Sequence, residues 1–132
     1  RSSTSFLKVL GHLRKSGAAL SFLAVRIGTG RRHQIRAHMA HAGHALVTDG
    51  KYSSSMEYQN DRAWCSRNFL HRYSLEFSQF GVPFQAAELL PLDLSDALRR
   101  TEVTRSAMNL TMWTVGALSW DQCPSLHELN SL

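Results

Sequence analysis

Arg31, Arg32, His33, Gln34 and Arg36 stand within six consecutive positions. On a helix, that run puts three guanidinium groups, an imidazole and a carboxamide inside two turns. Guanidinium groups grip phosphates and carboxylates through paired N–H donors. Backbone N–H groups at a helix start also favour anions. The chemistry these residues suit is recognition of a nucleic-acid backbone or of a buried carboxylate, with His33 and Gln34 adding hydrogen bonds. His33, His38, His41 and His44 also raise a metal reading, because 38/41 and 41/44 are three apart. No carboxylate or thiolate joins them at ligand spacing, and no metal site is expected.

The elements that must position this cluster follow from the flanking residues. Residues 20–27 (LSFLAVRI) alternate, with Leu23, Val25 and Ile27 on one face and Phe22, Ala24 and Arg26 on the other, and predict a strand. A short strand over 5–10, with turn chemistry from Gly11 to Gly17, should pair with it. Gly28-Thr29-Gly30 ends the strand. Thr29 is the expected N-cap of a helix running to Ala42, and Gly43 sits where a helix-terminating glycine belongs. Ile35, Met39 and Ala42 form its apolar face. Arg32, Arg36 and Ala40 make a second stripe, and His33, Ala37, His41 and His44 a third. Residues 53–68 read as a polar loop. Residues 69–77 (FLHRYSLEF) read as a strand with Phe69, Tyr73, Leu75 and Phe77 on one face. A turn at 78–81, a strand over 82–90 with Pro83 near an edge, and a helix over 92–103 capped by Asp93 or Ser95 follow. Residues 104–132 carry Trp113 and Trp120, read as packing residues or part of a disordered tail rather than as base-stacking ones, and no decisive pattern.

With 132 residues, 43% of them hydrophobic and 19% charged, the chain fits one domain with a core. The net charge of +5 is uneven: residues 1–51 carry nine Lys or Arg and one acid, Asp49, whereas residues 52–132 carry six Arg and nine acids. That imbalance points to a polyanionic partner. No apolar run is long enough to cross a membrane as a helix, and none forms a signal-peptide core. Cys65 and Cys123 form no CxxC pair and are expected to be ordinary thiols. The first residue is Arg, which suits a piece of a longer chain; targeting information would then lie upstream, and cytoplasm, nucleus and organelle stay open.

The stretch TGRRHQIRAHMAHAGHALVTDGKY resembles the TGRxHQIRxHxxxxGHPIxGDxxYG motif of RluA-type RNA pseudouridine synthases. FLHRYSLEF resembles that family's LHA…L.F strand, ELLPLD its following proline segment, and SSTSFLKVL its A.T.Y.V strand. The resemblance covers about residues 3–100. It implies isomerisation of uridine to pseudouridine in RNA, without cofactor or metal: an aspartate acts on the nucleoside, and the uracil is released, turned and rejoined through C5. The target base must leave its stack.

The resemblance also implies an α+β fold with a mixed, largely antiparallel sheet and packed helices. It makes Arg36 the partner of the catalytic aspartate, where a guanidinium would keep a buried carboxylate ionised. Arg31, Arg32, His33, Gln34 and His38 are candidate RNA contacts, though His33 and Gln34 suit a structural hydrogen-bonding role equally, and Tyr52, Leu70 and His71 line or support the pocket. The family's HRLDxxTSG motif, which carries that aspartate, is absent, as is its upstream tyrosine; His71-Arg72-Tyr73-Ser74 has no Asp in the matching place. Asp49 reads as structural. The expectation is a partial catalytic domain over 1–103 and a divergent tail over 104–132, inactive alone and partnered by RNA and by the missing N-terminal half. Ala45 for Pro, Thr48 for Gly, Ser53 for Gly and Arg72 for Ala depart from the motif. A non-catalytic RNA-binding module and a histidine-based metal-binding regulator remain the alternatives.

Overall fold

A computed structural model describes residues 2–114, 116 and 118–129. Its elements are β1 (Ser5–Lys15), β2 (Ala18–Ile27), α1 (Gln34–His41), α2 (Ser55–Arg62), β3 (Ser74–Gln79), β4 (Val82–Ala87), α3 (Leu92–Arg99), β5 (Glu102–Ser106), a 3-10 turn (Leu110–Thr114) and β6 (His127–Leu129). Every strand pair is antiparallel, so the molecule is α+β with antiparallel sheets.

β1 is the hub. One edge pairs with β2 along its whole length; the other takes β6 at Leu7–Val9 and β5 at Gly11–Arg14. The sequence ends this strand at residue 10 and places turn chemistry from Gly11 to Gly17, and the structure corrects it. Only Ser16 (φ 51°) and Gly17 (φ 82°) turn the chain, a two-residue hairpin with both centres left-handed. Gly11 lies inside the strand, where a Cβ would meet the Arg105 carbonyl and Leu110 at 3.2 Å. The register slips between Val9 and Gly11. Leu10 is the extra residue, so the face shared with Ala24 passes from Lys8 to Leu13.

That face carries the core. Leu10, Leu13 and Ala24 pack with Leu94, Ala97 and Leu98 of α3, with Leu110 and Trp113, and with Cys65 and Cys123. Trp113 sets its ring edge-on against Phe22 and Tyr73. Lys8 is buried; its ammonium donates to the carbonyls of Trp120 (2.7 Å) and Cys123 (3.3 Å) and lies over the Trp120 ring. The described part of 104–129 is thus built into the sheet and the core.

Other expectations also need correction. Residues 55–62 form a helix where a loop was expected, because Ser54 and Glu57 make a reciprocal capping box. The strand expected over 69–77 starts at Ser74. Phe69 and Tyr73 turn inward to the core, while Leu75 and Phe77 stay exposed. β4 ends at Ala87 rather than 90. α3 ends at Arg99, follows Pro91 and has no side-chain cap: Asp93 pairs instead with Arg67, and Ser95 is buried. β3 and β4 form a separate hairpin, closed by Phe80-Gly81, with Phe77 and Phe84 stacked at 5.2 Å on its surface.

Candidate nucleic-acid interface

The face of β1 opposite the core presents Ser5 and Leu7, paired across β2 with Ile27 and Val25. α1 lies against its start. Thr29 does not cap this helix, as the sequence reading had it. The N-cap is His33, in the left-handed region (φ 57°) and without a side-chain bond. Gln34 instead ties the preceding turn to the helix: its Oε1 accepts from Thr29 Oγ1 (3.1 Å) and Arg31 N (3.4 Å). Its Nε2 donates to Thr4 O (3.1 Å) and Ser5 Oγ (3.2 Å). At the far end Gly43 takes φ 86°, the glycine stop foreseen from sequence.

A cleft of about 430 Å³ opens where β2 runs into α1. It is lined by Ile27, Gly30, Arg31 and residues 33–36 of the β2–α1 stretch, and by Arg67, Asn68, Leu70 and Arg72 from further along the chain. Of the residues singled out from sequence, Arg31, His33, Gln34, Arg36 and Leu70 meet here. Arg32 is exposed outside the lining. His38 turns to β1, with Nδ1 2.8 Å from Ser5 Oγ and Nε2 3.3 Å from Ser3 Oγ. Tyr52 stands behind the wall, its ring edge-on to His33 and under the Arg36 guanidinium. His71 bonds through Nε2 to the Glu88 carbonyl, away from the cleft.

Arg36 is held by a carboxylate of its own chain. Its Nε and Nη2 donate to Asp49 Oδ2 (2.8 Å) and Oδ1 (2.7 Å), and the Asp49 side chain is fully buried. Oδ1 also accepts from the backbone N–H groups of Lys51 (3.0 Å) and Tyr52 (3.1 Å). The Arg36 guanidinium and these backbone donors outweigh the cost of burial and lower the Asp49 carboxyl to about 2. Burial, then the charges of Arg36, Lys51 and Arg32, push His33 below its ordinary value.

Arg67, Asn68 and Arg72 were missed as site residues. They sit 31 to 36 positions beyond Arg36, and only the fold brings them near. The Arg36–Asp49 pair had a signal: Asp49 is the single acid among residues 1–51. Among the described residues, no group of three or more His, Cys, Asp or Glu is placed to hold a metal, and no helix is long and apolar enough to cross a membrane.

Known proteins resemble parts of this chain. A MATH and LRR domain-containing protein of Plasmodium falciparum is 54% identical over 54 residues, 41% of this chain and a negligible share of its own length. Ribosomal large subunit pseudouridine synthase C of Haemophilus ducreyi is 36% identical over 66 residues, 49% of this chain and 21% of its own. Ribosomal large subunit pseudouridine synthase D of Xanthomonas campestris is 32% identical over 111 residues, 70% of this chain and 34% of its own. The chain therefore spans about a third or less of these relatives. No family model and no solved structure matches it.

Proposed function

We propose that residues 1–103 form the C-terminal part of an RNA pseudouridine synthase catalytic domain, followed by a divergent segment over 104–132, and that the chain alone binds RNA without isomerising uridine. The observation that carries this reading is the cleft at the β2–α1 junction. It joins three arginines of the TGRRHQIR…FLHR motifs, Arg31, Arg36 and Arg72, to a fourth, Arg67, and to apolar Ile27, Ile35 and Leu70. Guanidinium groups around an apolar floor suit a nucleotide, with phosphates on the rim and a base within. The partial relatives named as pseudouridine synthases support the same reading.

The placement of Asp49, the acid within the resembled motif, supports inactivity of the chain alone. Asp49 is buried with both oxygens engaged and cannot reach a nucleoside. The catalytic carboxylate, and with it the second partner of Arg36, would come from an N-terminal half outside this chain. One observation favours the alternative, a non-catalytic RNA-binding module: Arg36 is already neutralised by Asp49, so this ion pair is complete without an outside carboxylate.

Tritium release from 5-tritiated uridine in cellular RNA separates the readings. The chain should be compared with the full-length product of its own transcript. Release by the long form alone is expected. Release by the short chain would overturn its inactivity. No release by either, with salt-sensitive RNA binding kept, would establish the binding module.

A further inference from the structure

The four guanidinium groups of the cleft are not equivalent. Arg36 is committed to Asp49, and Arg67 to Asp93 through Nε and Nη2. Arg31 also has an interaction within the chain. Arg72 is exposed on the cleft wall and has no hydrogen-bond, ion-pair or ring partner among the described residues.

The backbone around Arg72 is nevertheless pinned. His71 bonds to the Glu88 carbonyl, Glu88 N donates to Tyr73 O (2.9 Å), and the Tyr73 ring packs on Trp113 at 4.9 Å. In this extended stretch His71 and Tyr73 are spent on the protein, while Leu70 and Arg72 line the cleft. An apolar side chain and an uncommitted cation thus stand two residues apart on one wall. Resting on the RNA reading above, we propose that Arg72 is a phosphate-binding residue that fixes the backbone of the nucleotide whose base or sugar lies against Leu70. The motif this chain resembles has alanine there and would lack this contact, which positions the strand without reading its sequence. Arg72 adds a cation from a second chain segment to Arg31 of the β2–α1 stretch, so the bound strand meets positive charge from both segments.

The test is fluorescence anisotropy of the full chain with a labelled single-stranded, uridine-containing RNA decamer, titrated at several salt concentrations. Each phosphate contact contributes about 0.7 to the slope of log affinity against log salt for single strands. Arg72→Ala should weaken binding several-fold and flatten the slope by about that amount. Arg72→Lys should recover most of the slope. Arg100→Ala, an exposed arginine outside the cleft, should match the wild type. Wild-type binding with an Arg72→Ala slope and affinity unchanged overturns the phosphate role alone. An equal loss in Arg100→Ala overturns it too, by making the effect one of net charge. Failure of the wild type to bind RNA overturns both this role and the RNA reading. Circular dichroism of each variant guards against a folding defect; His71 and Tyr73 anchor the segment, so Arg72→Ala should leave it intact.

Discussion

Asp49 takes up two of the five N–H groups of Arg36 and two backbone N–H groups besides. Its carboxyl is lowered in the folded chain to about 2. The linkage therefore stabilises the fold above the ordinary carboxylate range and is lost as pH falls from about 4 through 2. It amounts to on the order of 1–2 kcal/mol, allowing for solvent at the Arg36 edge. Asp49→Asn should lose about 2–3 kcal/mol at pH 7, because it leaves the guanidinium without its charge partner. It should also lose less than the wild type between pH 4 and 2. Urea melts of both proteins at pH 7, 4 and 2.5 check this; parallel acid losses would refute it. Thr48, one residue earlier, holds a left-handed backbone (φ 57°) where the resembled motif has glycine. A β-branched residue rarely does so. Here Asp61 accepts from Thr48 N (3.0 Å), and Thr48 Oγ1 donates to Cys65 O (2.9 Å), holding it there. The motif alone exposed the departure, and the structure supplies its compensation.

At the scale of elements, the β2–turn–α1 unit was legible because alternation, two glycines and a glycine stop all agree within 24 residues. Where the sequence reading failed, a tertiary cause prevailed. Gly11 looked like a turn residue, but its small size serves the close approach of β5 and Leu110. FLHRYSLEF alternates throughout, yet only its second half finds a strand partner; Phe69 instead donates its N–H to Val47 O (2.9 Å). α2 had a readable signal in Ser54-x-x-Glu57 that polar composition outweighed. Because α2 buries none of its residues, its start depends on that box. Ser54→Ala should cost about 1 kcal/mol locally. Amide exchange of Glu57, whose N–H bonds to Ser54 Oγ, should quicken roughly five-fold; an unchanged rate would mean the box contributes nothing.

Across the whole molecule, apolar surface is divided unevenly. The core face of the main sheet is covered, but the β3–β4 hairpin is bare on both strands: Phe80 is 95% exposed, and Leu75, Phe77, Val82 and Phe84 lie between 45% and 52%. Clustered apolar residues on an unprotected two-stranded edge favour self-association. The isolated chain should therefore associate at tens of micromolar in light scattering, and Phe77→Ser with Phe84→Ser should restore the monomer. A monodisperse wild-type monomer with a cooperative melt would contradict that. Composition indicated a core but could not say that the bare surface would be this hairpin, because that depends on which strands find neighbours.

The placement of β1 also sets a timetable. Its partners on one edge are made about 90 to 120 residues later in synthesis. At a chain growth of roughly 5–20 residues per second, the strand waits on the order of 5 to 20 s with only β2 beside it. Contacts so distant along the chain also close slowly once they are available. Arg36 and the helix that carries it therefore emerge beside a sheet that still lacks both partners on that edge of β1.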